Sequence, residues 1–97
     1  MERGSYSVSF TVNGQKFKRV VIDAHYKLKH SSTISEELIL ELVGLLDGGD
    51  FAPETKAASF EYYMNENLVL DNKRYRLVWL IEKEELFIGV INAYRRK

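Results

Sequence analysis

Residues 6–22 read YSVSFTVNGQKFKRVVI, and this stretch determines the N-terminal part of the fold. Apolar and polar residues alternate over 6–12, which is the period of a strand with one buried face. Asn13-Gly14 follows and is a strong signal for a two-residue hairpin, because both central positions of a type I′ turn need a positive φ. A second strand pattern covers 15–22. We therefore predict a β-hairpin with strands at 6–12 and 15–22.

The next segment, residues 23–30, can be interpreted in two ways. As a strand it sets His25, Lys27 and Lys29 on one side, because alternate residues of a strand share a face. As a short helix capped by Asp23 it places His25 beside Lys29, four residues later. We favour a short helix or a turn for this segment.

The main helix is predicted at about residues 33–47. Thr33-Ile34-Ser35-Glu36 fits a capping box, in which a hydroxyl and a carboxylate satisfy the first free N–H groups of a helix. Apolar residues then recur at helical spacing, at Ile34, Leu38, Leu42, Leu45 and Leu46. Gly48-Gly49 is expected to end the helix.

The last forty residues are typical of strands separated by turns. Strands are predicted at 59–65, with a continuation at 68–70, and then at 74–82 and 86–95; Asp71-Asn72 and residues 82–85 are the turns between them. The predicted fold class is α+β: an N-terminal β-hairpin and one main helix packed on an antiparallel sheet, in the order ββ(α)αβββ. Ninety-seven residues fit a single domain, 1–97.

The amino-acid composition excludes several kinds of site and of protein. The chain has no cysteine, so disulfides and thiolate metal sites are excluded. No apolar run approaches the ~18 residues of a membrane span, and the first residues lack the apolar core of a signal peptide. We therefore expect a cytoplasmic protein that does not enter a membrane.

The formal net charge of zero conceals a segregation along the chain. Residues 1–34 carry six Lys/Arg and two Asp/Glu, a charge of +4. Residues 35–72 carry one base and nine acids, a charge of −8, and residues 73–97 carry seven bases and three acids, a charge of +4. If the two basic blocks meet in space, the cationic face that they form attracts polyanions. The alternative interpretation is that these surface charges only keep the protein soluble.

The candidate chemistry lies in two segments, residues 25–30 (HYKLKH) and 91–96 (INAYRR). Histidine exchanges protons near neutral pH, and lysine or arginine holds phosphate, so His25 and His30 with Lys27 and Lys29 suit metal-free RNA cleavage. The two histidines are five residues apart and therefore do not share a face, which disfavours a metal site; no cofactor is predicted. Both histidines also suit ordinary surface or capping roles.

From residue 23 onward, the outline resembles the ribonuclease-toxin group that includes barnase, EndoU, colicin and RelE domains. The residues that carry the resemblance are His25, the Lys29-His30 pair and the ending Gly89-Val90-Ile91-Asn92-Ala93-Tyr94. The resemblance implies a helical segment before an antiparallel sheet whose last strand ends in a functional polar residue. It also implies a toxin-type RNA endonuclease held inactive by a cognate inhibitor or antitoxin protein.

Carried over to this chain, the resemblance gives each group a role. His25 or His30 would transfer protons, Lys29 and Arg76 would contact phosphate, and Tyr94 with Arg95 or Arg96 would be the contribution of the last strand. Two other functions stay open: a non-catalytic RNA- or protein-binding module, and a structural homo-oligomer closed through a sheet edge.

Overall fold

The computed structural model describes residues 4–22, 34–84 and 86–96. These residues form one helix and a sheet of six strands in the spatial order β1-β2-β6-β5-β4-β3. The predicted α+β class is confirmed. The elements in chain order are β1 (Gly4–Val12), β2 (Gln15–Ile22), α1 (Glu36–Gly44), β3 (Thr55–Lys56), β4 (Phe60–Leu70), β5 (Lys73–Glu82) and β6 (Phe87–Arg96).

The prediction of an antiparallel sheet is wrong at one pair. β2 and β6 run parallel, with Val20 opposite Ile88 and Ile22 opposite Val90, whereas every other described strand pair is antiparallel. Parallel neighbours need a long crossover connection, and here the chain between β2 and β6 contains α1 and three strands. Such a pairing leaves no local signal in the sequence.

The order of elements also differs from the predicted ββ(α)αβββ. The described residues give ββαββββ, because the two-residue strand β3 was not predicted. It pairs with the beginning of β4, Thr55 opposite Tyr62. The bracketed helix of the prediction falls in residues 23–30 and lies outside the described residues.

Two of the three predicted turns adopt the backbone that their sequences favour. Asn13 and Gly14 have φ of 53° and 75°, as a type I′ hairpin requires. Asp71 and Asn72 have φ of 51° and 63° and join β4 to β5 in the same way. Asparagine and aspartate tolerate this left-handed region better than other residues with side chains.

The helix is shorter than the predicted 33–47, and the capping-box interpretation is wrong. Ser35 is the N-cap, and its Oγ accepts a hydrogen bond of 3.1 Å from the N–H of Leu38. Ile34, just before the cap, and Ile39 in the second turn are both buried in the core, which is the arrangement of a hydrophobic staple. The helix ends at Gly44, and the chain continues in tighter turns to Gly48, whose φ is +82°.

One hydrophobic core lies between α1 and the sheet. Helix residues Ile39, Leu42 and Val43 share it with Leu77 and Trp79 of β5, among others. None of the described helices has the length and the apolar character needed to cross a membrane.

The sheet curls strongly around this core. Asn13, in the β1–β2 turn, donates from Nδ2 to the Tyr63 hydroxyl of β4 at 3.0 Å, although three strand spacings separate β2 from β4. Three spacings amount to roughly 14 Å along a flat sheet, more than these side chains span comfortably. Burial and the Glu61 carboxylate raise the pKa of Tyr63 to about 12, and the protonated hydroxyl donates a hydrogen bond of 3.0 Å to Glu61 Oε1.

The face of the sheet opposite α1 is called the distal face below. Its membership follows from the strand registers, because residues directly opposite each other on paired strands share a face. It comprises Phe60, Tyr62, Met64, Glu66 and Val69 of β4, Arg74, Arg76, Val78, Leu80 and Glu82 of β5, and Phe87, Gly89, Asn92, Tyr94 and Arg96 of β6.

Candidate nucleic-acid interface

The centre of the candidate interface is a contact between Arg76 and Tyr94, which lie directly opposite each other on β5 and β6. The Arg76 guanidinium donates from Nη1 to the Tyr94 hydroxyl, and its carbon lies 5.5 Å from the centroid of the Tyr94 ring. Its Nε and Nη2 lie 3.1 and 2.7 Å from the sulfur of Met64. Contacts on several sides hold the guanidinium in one orientation on the distal face.

Glu66 lies between two arginines of this cluster. Its Oε1 is 3.6 Å from Nη2 of Arg76 and 3.5 Å from Nη1 of Arg96. The side chains of Arg76, Arg96 and Glu66 are 29%, 40% and 51% exposed, and ion pairs that accessible contribute little to stability. A phosphate can therefore compete with Glu66 at small cost.

A third arginine adds positive charge to the same face. Arg74 lies directly opposite Arg96 on the neighbouring strand. In the described part of the chain, Arg76 and Arg96 share one carboxylate, that of Glu66, so these three side chains together carry one positive charge.

Two β-bulges flank the cluster and determine which side chains it contains. The register of β4 against β5 shifts between Asn65 and Leu68, which inserts one extra residue opposite Arg76. The register of β6 shifts at Ile91, since Val90 lies opposite Trp79 but Asn92 opposite Val78. Without this second bulge, strict alternation from Gly89 would turn Asn92 and Tyr94 toward the core. Bulges that re-aim side chains are common beside functional sites.

Asn92 is the functional candidate that the sequence-based site prediction did not include. Its Oδ1 is buried and accepts no hydrogen bond from any group in the described part of the chain. Unsatisfied buried acceptors are uncommon and costly, so a donor from a ligand would be favourable there. The sequence signal was one amide in the otherwise apolar run of residues 86–93.

Apolar and aromatic side chains continue the distal face from the arginine cluster. Tyr62 and Met64 of β4 are half-buried, and the ring of Phe60 lies 6.2 Å from that of Tyr62. Gly89 lies opposite Leu80, whose Cδ1 is 3.0 Å from the place that a Cβ would take at that glycine. Exposed parts of such rings can stack on bases. Tyr63, by contrast, faces the core, as the alternation of a strand requires.

The predicted site residues fall into three groups. Arg76, Tyr94 and Arg96 come together on the distal face. Arg95 is exposed on the other side of the sheet, because it lies opposite the core residue Tyr75. The remaining predicted residues, His25, Lys27, Lys29 and His30, lie outside the described residues.

The two basic blocks, residues 1–34 and 73–97, were expected to form one positive surface, but Arg19 of the first block lies far from the arginines of the second. This residue lies over Phe87, 5.0 Å from the ring centroid, at the beginning of β6. Arg96 lies nine residues further along β6, or roughly 30 Å at ~3.3 Å per residue. At the Phe87 end the bases alternate with acids, as in the ion pair of 3.8 Å between Lys83 and Glu61. The cationic cluster is therefore local to the other end of the sheet.

Metal-binding groups do not assemble in the described ranges. Over residues 4–22, 34–84 and 86–96, no three His, Cys, Asp or Glu side chains are grouped closely enough to hold an ion.

Comparison with family models, with curated proteins and with solved structures finds no match to this chain.

Proposed function

We propose that the protein is a metal-independent RNA endonuclease of toxin type, and that RNA binds to the distal face. The observation that carries the proposal is the convergence of Arg76, Tyr94 and Arg96 on one face beside Asn92. Guanidinium groups bind phosphate through two parallel hydrogen bonds, and they stabilise the charge that develops when phosphate is attacked. Arg76 and Arg96 are therefore the proposed phosphate contacts.

The neighbouring groups suit the remaining parts of a nucleotide. If the Asn92 side chain rotates outward when RNA binds, its unsatisfied and buried Oδ1 becomes an acceptor for a ribose hydroxyl, the group that distinguishes RNA from DNA. Tyr62 and Met64 offer apolar surface for a base.

The proposed proton-transfer group is His25, with His30 as the alternative. A base removes the 2′-OH proton, the 2′-oxygen attacks the adjacent phosphate, and the bond to the 5′-oxygen breaks as an acid protonates that oxygen. β2 ends at Ile22, which lies opposite Val90 of β6. Val90 in turn lies two residues before Asn92. Three residues of chain span at most ~11 Å, so the covalent link limits the distance of His25 from Ile22 more tightly than that of His30, which follows Ile22 by eight residues.

RNA cleavage in the presence of EDTA tests this function. Purified protein is incubated with a mixed-sequence single-stranded RNA in excess chelator, and the product ends are identified by mass spectrometry. We expect cleavage that leaves 2′,3′-cyclic phosphate and 5′-hydroxyl ends, because the proposed groups supply proton transfer and charge stabilisation without an ion. The matched 2′-deoxy oligonucleotide should stay intact. Cleavage that stops in chelator and returns with a divalent ion would reject the proposed chemistry.

Adjacent arginines on opposite faces provide a matched pair of variants for RNA binding. We expect Arg96→Gln to weaken binding of single-stranded RNA and to reduce the slope of log affinity against log salt by about 0.7, the value for one lost phosphate contact. Arg95→Gln removes the same charge from the other side of the sheet and should leave the slope unchanged. Fluorescence anisotropy titrations at several salt concentrations measure both slopes. Equal effects of the two substitutions would mean that charge alone, and not the distal face, controls binding.

A second candidate function is a non-catalytic RNA- or protein-binding module. The observation that favours it is that the described cluster consists of binding groups, with Glu66 already between Arg76 and Arg96. RNA binding without cleavage would identify this alternative.

If the protein is a toxin, a cognate inhibitor protein is its expected partner. Co-expression with the product of a neighbouring open reading frame should then relieve growth arrest.

A further inference from the structure

The two edges of the sheet differ in how well they are protected from pairing with another strand. One edge is β3, which has only two residues, Thr55 and the charged Lys56, both exposed. The part of β4 beyond it carries the bulge at Glu66. Short edge strands, charges and bulges are the devices by which proteins prevent edge-to-edge pairing.

The other edge, β1, has a register shift between Ser7 and Phe10 but lacks the other two protective features, a short strand and charged residues. Residues 4–12 read GSYSVSFTV and contain no charged residue and no proline. Only the end of the strand is covered: the Thr11 N–H donates to Asp47 Oδ1 at 2.7 Å, and the Gly48 N–H donates to the Thr11 carbonyl at 2.6 Å. Within the described ranges, no loop or cap hydrogen bond reaches the backbone of residues 4–10. These seven residues are called the free edge below.

Side chains along the free edge alternate regularly between two environments. Tyr6, Val8 and Phe10 are half-buried against the core, whereas the serines between them are exposed. The alternation persists through the register shift that separates Ser7 from Phe10 in the pairing with β2. A strand that pairs with this edge must match the alternation, because a slip of one residue would set polar side chains against apolar ones.

We propose that the free edge pairs antiparallel with the free edge of a second copy of the chain, about a two-fold axis at Ser7. Ser7 is the midpoint of residues 4–10, so this register pairs the whole free edge. It sets Ser7 opposite Ser7 of the second copy, Tyr6 opposite Val8, and Gly4 opposite Phe10. Apolar side chains meet apolar ones throughout, as an isologous contact requires.

The chemistry of the strand selects a second copy over a different protein. An uncharged edge offers no charge pattern that a foreign strand could complement, and a two-fold pairing brings no like charges together within residues 4–10. Gly4 has no side chain, and the Tyr6 ring of the same strand lies about 3 Å from the place that a Cβ would take there. Seven paired residues extend over ~23 Å, a small contact of the kind found in weak, concentration-dependent dimers.

Single cysteines test the register, because the chain contains none of its own. Opposite residues in an antiparallel pair have Cα atoms about 4.5–5.5 Å apart, within the range of a disulfide. Under mild oxidation we expect Ser7→Cys to form a covalent dimer rapidly and Ser5→Cys alone to remain monomeric. A mixture of Ser5→Cys and Ser9→Cys should crosslink. Rapid crosslinking of Ser5→Cys alone, without that of Ser7→Cys, would overturn the proposed pairing.

Opposite charges at the two-fold axis test the interaction without a covalent bond. Analytical ultracentrifugation of the unmodified chain should show a species of twice 11.3 kDa whose share rises with concentration. Ser7→Lys and Ser7→Asp should each raise the dissociation constant by up to about fivefold, because like charges directly opposite in a strand pair repel. A mixture of the two variants should dimerise again, which also shows that both are folded.

The control pair is Thr55→Lys and Thr55→Asp on the opposite edge, β3, where Thr55 is likewise exposed. These substitutions should leave the dimer unchanged. A chain that is monomeric at every concentration would refute the proposal, as would a dimer that survives both charges at Ser7. The outcome is independent of RNA binding, since the arginine cluster lies on β5 and β6.

Discussion

Replacing Trp79 by alanine is expected to lower the free energy of unfolding by about 3–5 kcal/mol, the usual cost of truncating a buried aromatic residue. Trp79 is fully buried on β5. Its ring stacks on Tyr63 with centroids 4.2 Å apart, and it meets Phe51 edge-on at 5.6 Å. The indole N–H donates to Asn65 Oδ1 at 2.7 Å. Alanine would leave a cavity and an unsatisfied amide oxygen together.

Chemical denaturation followed by circular dichroism measures this loss. A domain of this size has a total stability of about 5–15 kcal/mol, so the variant should be partly unfolded or close to it at room temperature. Trp79→Phe retains a ring for Tyr63 but loses the hydrogen bond, and it should cost clearly less. Val69→Ala, at a side chain 58% exposed, is the surface control and should change stability by less than about 0.5 kcal/mol. A loss below ~1 kcal/mol for Trp79→Ala would contradict the described core.

Local features of the fold could be predicted from the sequence because their causes are local. Asn13-Gly14 and Asp71-Asn72 favour positive φ wherever they occur, so both hairpin turns were found. Alternation defined the strands to within one or two residues at most ends. The beginning of the helix was missed because Thr33 and Ser35 both suit an N-cap, and only the burial of Ile34 in the core distinguishes them.

Non-local features could not be predicted in the same way. The parallel pairing of β2 with β6 depends on which strands meet after the chain has crossed over through α1. The cluster on the distal face depends on the bulge at Ile91, since one extra residue reverses the side on which Asn92 and Tyr94 lie. The bulge residue can be identified only when the register of β6 against its partner strand β5 is known.

The candidate site was accordingly predicted in part. Arg76 and Tyr94 were named from the resemblance, and they contact each other. Arg95 and Arg96 could not be told apart in the sequence, because consecutive residues on a strand differ only in the face that the register assigns to them. Glu66 was missed for the same reason: its proximity to both arginines arises from the β4 bulge.

Replacing His25 by alanine is expected to reduce RNA cleavage by about 10²–10⁴-fold, the usual contribution of general acid–base catalysis. The expectation rests on the proposed function and on the short covalent link between Ile22, opposite Val90, and His25. The rate is measured in chelator under single-turnover conditions with saturating protein, so that weaker binding does not imitate slower chemistry. Affinity for the non-cleavable 2′-deoxy oligonucleotide should change little.

His30→Ala is the matched control, since it removes the same group from the same segment of the sequence. We expect a smaller loss of rate, because eight residues separate His30 from Ile22. Arg96→Gln should lower affinity, whereas His25→Ala should lower the rate at saturation, so the two variants separate phosphate binding from proton transfer. If both histidine variants cleave RNA at the unmodified rate, neither histidine transfers the proton. Cleavage would then depend on another group, and the assignment of proton transfer to His25 or His30 would be rejected.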